Sequence, residues 1–214
     1  MDVYQVLQTG IYGITCESIS AGRTNIEVVQ QLLDAGVKII QYREKDKTKR
    51  EKYQQCLTLR SLCDAAGALF IVNDDVDIAM AIKAGGVHVG QDDLPADVVR
   101  AIVGPDMVIG VSAGTPNEAA IAVAQGANYL GVGPVFPTGT KLDAGDAVGL
   151  ANLAQMVQMY NIPVVAIGGI NEKNIMDVHQ CGVACAAMVS TLVGATDIKE
   201  TVSTIWRIIN SDRR

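Results

Sequence analysis

The sequence predicts an α/β fold, a single (β/α)8 (TIM) barrel over residues 1–214, and three observations predict it. Short apolar runs alternate with helix-period segments from one end of the chain to the other. Eight such runs occur. Polar residues recur at the end of nearly every run rather than at one place. Parallel neighbours need a long crossover, and strands joined by helices supply one, so eight repeats of this unit can close into a barrel. An open doubly wound sheet is the competing architecture, but no GxGxxG follows the first strand.

The strand candidates are GIYGITC (10–16), KIIQYRE (38–44), ALFIVND (68–74), GVHVGQ (86–91), MVIGVSA (107–113), NYLGVGP (128–134), PVVAIGG (163–169) and ACAAMVS (184–190). Between them, segments such as 25–35, 49–66 and 117–125 place apolar residues at three- and four-residue steps. Gly36, Gly67, Gly85, Gly126 and Gly182 precede strands, where glycine supplies the left-handed cap that ends a helix. Pro95 and Pro116 lie where helices begin, and Asp197 is a candidate N-cap of the last helix. At 214 residues the chain is near the ~200-residue minimum for such a barrel, so its loops must be short.

Composition narrows the function. Hydrophobic residues make up 49% of the chain and aromatics only 4%, which suits β-branched strands packed on helices. A formal charge of −6 argues against a nucleic-acid partner, although a few cations focused in a cleft still serve phosphate ligands. Five cysteines without a CxxC pair read as reduced cytosolic thiols, and no apolar run approaches the ~18 residues of a membrane span. A cytoplasmic enzyme of small phosphorylated substrates is expected, with homo-oligomerisation left open.

In such a barrel the site forms at the carboxyl ends of the strands. Run 2 leads into Gln41-Tyr42-Arg43-Glu44-Lys45, and alternation puts Gln41, Arg43 and Lys45 on the inward side. Run 3 ends in Asn73-Asp74-Asp75 and run 4 in Gln91-Asp92-Asp93. Carboxylates from adjacent strands suit Mg²⁺, which takes oxygen ligands; the plainer alternative makes Asp74 or Asp93 a helix N-cap. After run 6, Thr138, Gly139, Thr140 and Lys141 offer hydroxyls, open backbone and a cation to a phosphate, and Gly139, Gly145 and Gly149 suit a mobile lid. Gly168-Gly169 and Val189-Ser190-Thr191 follow runs 7 and 8, the usual phosphate cradle of these barrels. His88 reads as a structural residue in mid-strand and His179 as a helix residue. The cysteines read as packing residues, with Cys16 alone near the mouth, and Trp206 as packing the last helix on the barrel. Past Lys45, the charged run to Lys52 reads as a solvated helix start.

Taken in order, GIYGIT, QYREK, FIVNDDVDIA, GVHVGQDDLP, GVS, GANYLGVGPVFPTGTK, VVAIGGI and MVS resemble the thiamine phosphate synthase family over residues 10–195. The resemblance implies a transferase joining 4-amino-2-methyl-5-hydroxymethylpyrimidine diphosphate to 4-methyl-5-(2-phosphoethyl)thiazole, releasing pyrophosphate with Mg²⁺ required. It implies that Gln41, Arg43, Lys45, Asn73, Ser112 and Lys141 bind the pyrimidine diphosphate, and that Asp74 and Asp93 hold the metal. Thr138, Thr140, Gly169, Val189 and Ser190 would cradle the thiazole phosphate. The chain departs from the family at Gly114, where members often carry His. That departure also weakens the reading as a thiazole tautomerase, in which a His of this loop moves the proton. Two competing functions are a binder of thiamine intermediates without catalysis and a metal-free sugar-phosphate isomerase.

Overall fold

Residues 3–139 and 146–211 are described in a computed structural model. Eight parallel strands close into a barrel in the order of the chain. They are β1 (Gly10–Ile14), β2 (Ile39–Tyr42), β3 (Leu69–Asn73), β4 (Gly86–Val89), β5 (Val108–Ala113), β6 (Tyr129–Val132), β7 (Val164–Ile167) and β8 (Cys185–Met188). The circle closes where Gly10, Ile11, Tyr12 and Gly13 pair with Cys185, Ala186, Ala187 and Met188.

Helices α1 (Val3–Leu7), α2 (Asn25–Asp34), α3 (Lys49–Ala65), α4 (Val76–Ala81), α5 (Ala96–Val103), α6 (Pro116–Ala124), α7 (Gly149–Met159), α8 (Ile175–Gln180), α9 (Ser190–Val193) and α10 (Ile198–Asn210) accompany the strands. Their starts follow capping chemistry. Thr24 and Thr48 each form a complete capping box, with Glu27 and Glu51 respectively. Thr115 caps α6 ahead of Pro116, and Asp197 accepts the Glu200 amide at α10. Gly36, Gly67, Gly126 and Gly182 take positive φ at helix ends, as expected. Gly85 does not. There Lys83 adopts the left-handed conformation (φ 53°), and Gly85 instead makes room for Leu69, whose Cδ1 would lie 2.7 Å from an added Cβ.

Two layers of core result from strand alternation. Ile11, Ile40, Phe70, Val72, Val87, Val89, Ile109, Leu130 and Ala166 face outward into the main cluster, against helix residues such as Val28, Leu59 and Leu153. Tyr12, Ile14, Ile39, Leu69, Ile71, Val108, Tyr129, Val165, Cys185 and Ala187 fill the barrel interior, and Leu7 of α1 joins them. The sequence pattern did not anticipate α1. Trp206, partly buried, packs beside Gly10 at the amino end of β1. Every cysteine is a free thiol. Burial pushes Cys56 and Cys63 up to about 12, so neither is an available nucleophile at neutral pH.

The strands are shorter than the apolar runs that predict them. The β2–β3 ladder runs from Ile39↔Leu69 to Tyr42↔Val72 and goes no further. Arg43 and the residues after it therefore lie past the sheet. Ladder hydrogen bonds no longer constrain them there, and they are free to turn toward a ligand.

Candidate active site

A cavity of about 380 Å³ opens at the carboxyl ends of the strands. Every sequence-predicted site residue that lies among the described residues lines it: Gln41, Arg43, Lys45, Asn73, Asp74, Asp93, Ser112, Thr138, Gly169, Val189 and Ser190. Thr140 and Lys141, with Gly145 of the expected lid, fall outside the described residues.

The charged wall comes from β2, β3 and β4. Arg43 is set by Thr15, a fully buried residue after β1 whose Oγ1 accepts the Arg43 amide at 2.9 Å. Lys45 Nζ lies 2.9 Å from Asp74 Oδ2. Asp74 adopts a left-handed backbone (φ 59°), which turns the chain sharply at the end of β3, and its amide is tied to His88 O at 2.9 Å. Non-glycine residues seldom take that conformation, and Asp and Asn tolerate it best. Asp75, not Asp74, occupies the cap position of α4, and its side chain makes no cap bond. It instead receives Lys49 at 2.7 Å and Lys52 at 2.9 Å, while Lys47 pairs with Glu17 at 3.1 Å. The charged run after Lys45 is therefore not simply a solvated helix start. It straps α3 to the loops on either side, because acidic residues of those loops lie within reach.

Asp93 reaches back to accept the Gly90 amide at 2.7 Å and lies within hydrogen-bonding reach of Asp74. Burial, joined by the Asp74 charge, pushes the Asp93 carboxyl above its ordinary value despite that amide. Burial also works to raise Asp74, but Lys45 outweighs it and holds Asp74 low. Two carboxyls crowded with one ammonium form a site short of positive charge. Their oxygens match a hard divalent cation, and no cluster of three or more His, Cys, Asp or Glu side chains gathers among the described residues. Mg²⁺ bound by this pair would take its other ligands from water and a phosphate, as it commonly does.

The opposite wall, from β6, β7 and β8, carries no charged side chain among its described residues. Gly168 and Gly169 both take positive φ (101° and 65°). A Cβ on Gly169 would lie 2.8 Å from both Phe136 Cβ and Pro137 O, so glycine is required where this turn meets the β6 loop. The Gly169 carbonyl is held by Asn171 Nδ2 at 3.2 Å and Asn174 Nδ2 at 3.0 Å. Thr191 Oγ1 donates to Ile170 O at 2.6 Å, tying the loop after β7 to α9. Arg23, from the loop after β1, donates to Val193 O and Ala195 O at 2.8 and 2.7 Å and so caps α9.

Sequence reasoning missed Thr15, Arg23, Asn171, Asn174 and the residues beneath the cavity. Tyr12 and Tyr129 pass as core, yet both line the cavity. His88 is packed and hydrogen-bonded as expected, but it also lines the cavity. The signal was available: Val87 and Val89 face the helices, so His88 between them must face inward. Gly114 donates its amide to Glu118 Oε2 at 2.7 Å and does not line the cavity.

Comparison with known proteins gives the chain a family. The family model described as thiamine monophosphate synthase matches residues 11–192. The chain belongs to that family. It is 51% identical to the thiamine-phosphate synthase of Pelotomaculum thermopropionicum over 96% of this chain and 94% of that protein. It is 47% identical to the same-named protein of Caldicellulosiruptor saccharolyticus, over 95% and 92% of the two chains. The solved thiamine phosphate pyrophosphorylase of Pyrococcus furiosus superposes with a TM-score of 0.88 at 38% identity, covering 96% of this chain and 98% of that one. None of the helices among the described residues is long and apolar enough to cross a membrane.

Proposed function

We propose that the chain is a thiamine phosphate synthase, a transferase that joins the aminopyrimidine diphosphate to the thiazole phosphate and releases pyrophosphate. One observation carries the reading: cationic Arg43 and Lys45 share a cavity with the Asp74–Asp93 pair, and an uncharged, glycine-lined wall faces them. The first wall suits a diphosphate with its metal, and the second a monophosphate.

Asp74 and Asp93 would hold Mg²⁺, which supplies charge neutralisation to a departing diphosphate. Arg43 presents a fork to the same oxygens, and Lys45 adds a point charge beside them. Asn73 and Gln41 orient the aminopyrimidine. As the bond to the diphosphate breaks, the electron-rich ring carries the positive charge left on its exocyclic carbon. Thr138, Gly169, Val189 and Ser190 hold the thiazole by its phosphate, so that its ring nitrogen meets that carbon. Positioning and electrostatics supply the rate, with no protein nucleophile. That agrees with the high thiols of Cys56 and Cys63. Thr140 and Lys141 belong by resemblance to the same two sites.

Purified protein mixed with both substrates and Mg²⁺ should form thiamine phosphate and pyrophosphate in equal amounts, read by chromatography and a phosphate-release assay. Clean binding of both substrates without product would reject the transferase and leave a non-catalytic binder.

A further inference from the structure

Asn171, Asn174 and Thr191 stand behind the uncharged wall rather than in it. Asn171 Nδ2 and Asn174 Nδ2 donate to the Gly169 carbonyl at 3.2 and 3.0 Å, and Thr191 Oγ1 donates to the Ile170 carbonyl at 2.6 Å. Both amides are oriented by the backbone around them. The Lys173 N–H donates to Asn171 Oδ1 at 2.9 Å, and the Asn171 N–H donates to Asn174 Oδ1 at 2.8 Å. A backbone N–H only donates and a carbonyl only accepts, so exchanging oxygen and nitrogen in either side chain would break two bonds at once. Asn174 also occupies the cap position of α8, yet its side chain makes no cap bond. An asparagine there ordinarily accepts from the first turn of its helix. This one reaches back to Gly169 instead.

The clamp fixes what the turn shows a ligand. The peptide between Gly169 and Ile170 is trans, so its N–H points opposite to its carbonyl. With the carbonyl drawn onto the two asparagines, the Ile170 N–H faces away from them, on the side of the cavity that Gly169 and Ile170 both line. That N–H meets no acceptor among the described residues, although Ile170 is only 4% exposed. A buried N–H is seldom left without a partner, and an oxyanion in the cavity would supply one. Gly169 itself restrains the peptide little, so the side-chain amides hold its tilt.

We infer that Asn171 and Asn174 are positioning residues of the monophosphate wall: by holding the Gly169 carbonyl away from the cavity, they keep the Ile170 N–H aimed at a phosphate oxygen. The inference rests on the reading of this wall as the thiazole phosphate site. It assigns to one substrate alone a pair of side chains that touches neither. A pair that merely stabilised the turn would affect every ligand of the barrel alike.

Calorimetric titration of the parent and of the double variant Asn171→Ala/Asn174→Ala tests it with two probes, the thiazole phosphate and the same thiazole bearing a free alcohol. The double variant should bind the phosphate about tenfold more weakly, the scale of one lost hydrogen bond to a charged group, and the alcohol unchanged. In turnover, KM for the thiazole phosphate should rise by the same factor, with kcat and KM for the pyrimidine diphosphate nearly unchanged. Asn171→Ser keeps a short acceptor for the Lys173 N–H and removes the amide that reaches Gly169. It decides the matter should the double variant fail to fold, with a loss of roughly threefold expected, again for the phosphate alone. Equal losses for phosphate and alcohol, a rise in both KM values, or no loss for the phosphate would overturn the inference. A parent that binds the thiazole phosphate without turnover would count against the proposed function, with the titrations still deciding the clamp. A parent that does not bind it would overturn both.

Discussion

The two halves of the rim are built from different materials. From β2 to β4 the cavity is lined by full charges, Arg43, Lys45, Asp74 and Asp93, each set by a side-chain or backbone partner. From β6 to β8 the described lining carries no charge: glycines, Thr138 and Ser190 sit among apolar residues such as Ile167 and Met188, with Gly169 clamped by Asn171 and Asn174. Under the proposed function, the difference is how this barrel sorts two phosphorylated substrates. Charge and metal sites suit the phosphate that must leave, because its charge grows as the bond breaks. Neutral donors suit the phosphate that only anchors, because its charge does not change.

The contrast between the halves breaks most visibly at Arg43. Arg43→Ala should lower kcat/KM by roughly 10³-fold, the scale of a lost group that stabilises developing charge, with little change in thermal midpoint. Steady-state kinetics beside a melting curve read this, and a loss no greater than that of a neutral-wall variant would erase the distinction between the halves. Asp93→Asn should come next. It should raise the Mg²⁺ concentration needed for half-maximal rate by about 10–100-fold, a range typical of disturbed metal sites. It should also raise the melting temperature of the metal-free protein at neutral pH by roughly a degree or two. The sign follows from the Asp93 carboxyl standing above its ordinary value in the fold. The folded state then holds that proton more tightly than the unfolded chain does. Stability is therefore lost as pH rises through the interval between the unfolded and folded values, and Asn removes the loss. A melting series from acidic to neutral pH should show parent and variant converging at the acid end. Thr138→Ala should be the mildest, raising KM for the thiazole phosphate about 2–10-fold with KM for the pyrimidine diphosphate unmoved. Movement of both together would sharpen the picture toward one shared anion site.

Legibility in the sequence followed the same physics. The barrel was readable because apolar runs and helix-period segments alternate along one chain, and each element declares itself locally. Gln41, Arg43, Lys45, Asp74 and Asp93 were readable because tip residues of alternating face carry charge where a core would not. Thr15, Arg23 and Tyr129 were not readable, because their partners are remote in the chain: Tyr12 meets Tyr129 across 117 positions and Arg23 meets Val193 across 170. Local pattern also misjudged Lys47, Lys49 and Lys52. Charge on an exposed helix start is ordinarily solvated, and only the fold shows Glu17, Asp75 and Asp77 waiting opposite.

The tyrosine pair has a consequence for what can enter. Its ring centroids stand 6.3 Å apart at 60°, and both rings are buried. Stiff aromatic rings leave none of the give that aliphatic chains would, so they act as a depth stop. A ligand extended along its buried edge has nowhere to go, whereas one extended toward the rim meets open solvent. Under the proposed function, length selection is thus written into the bottom of the well.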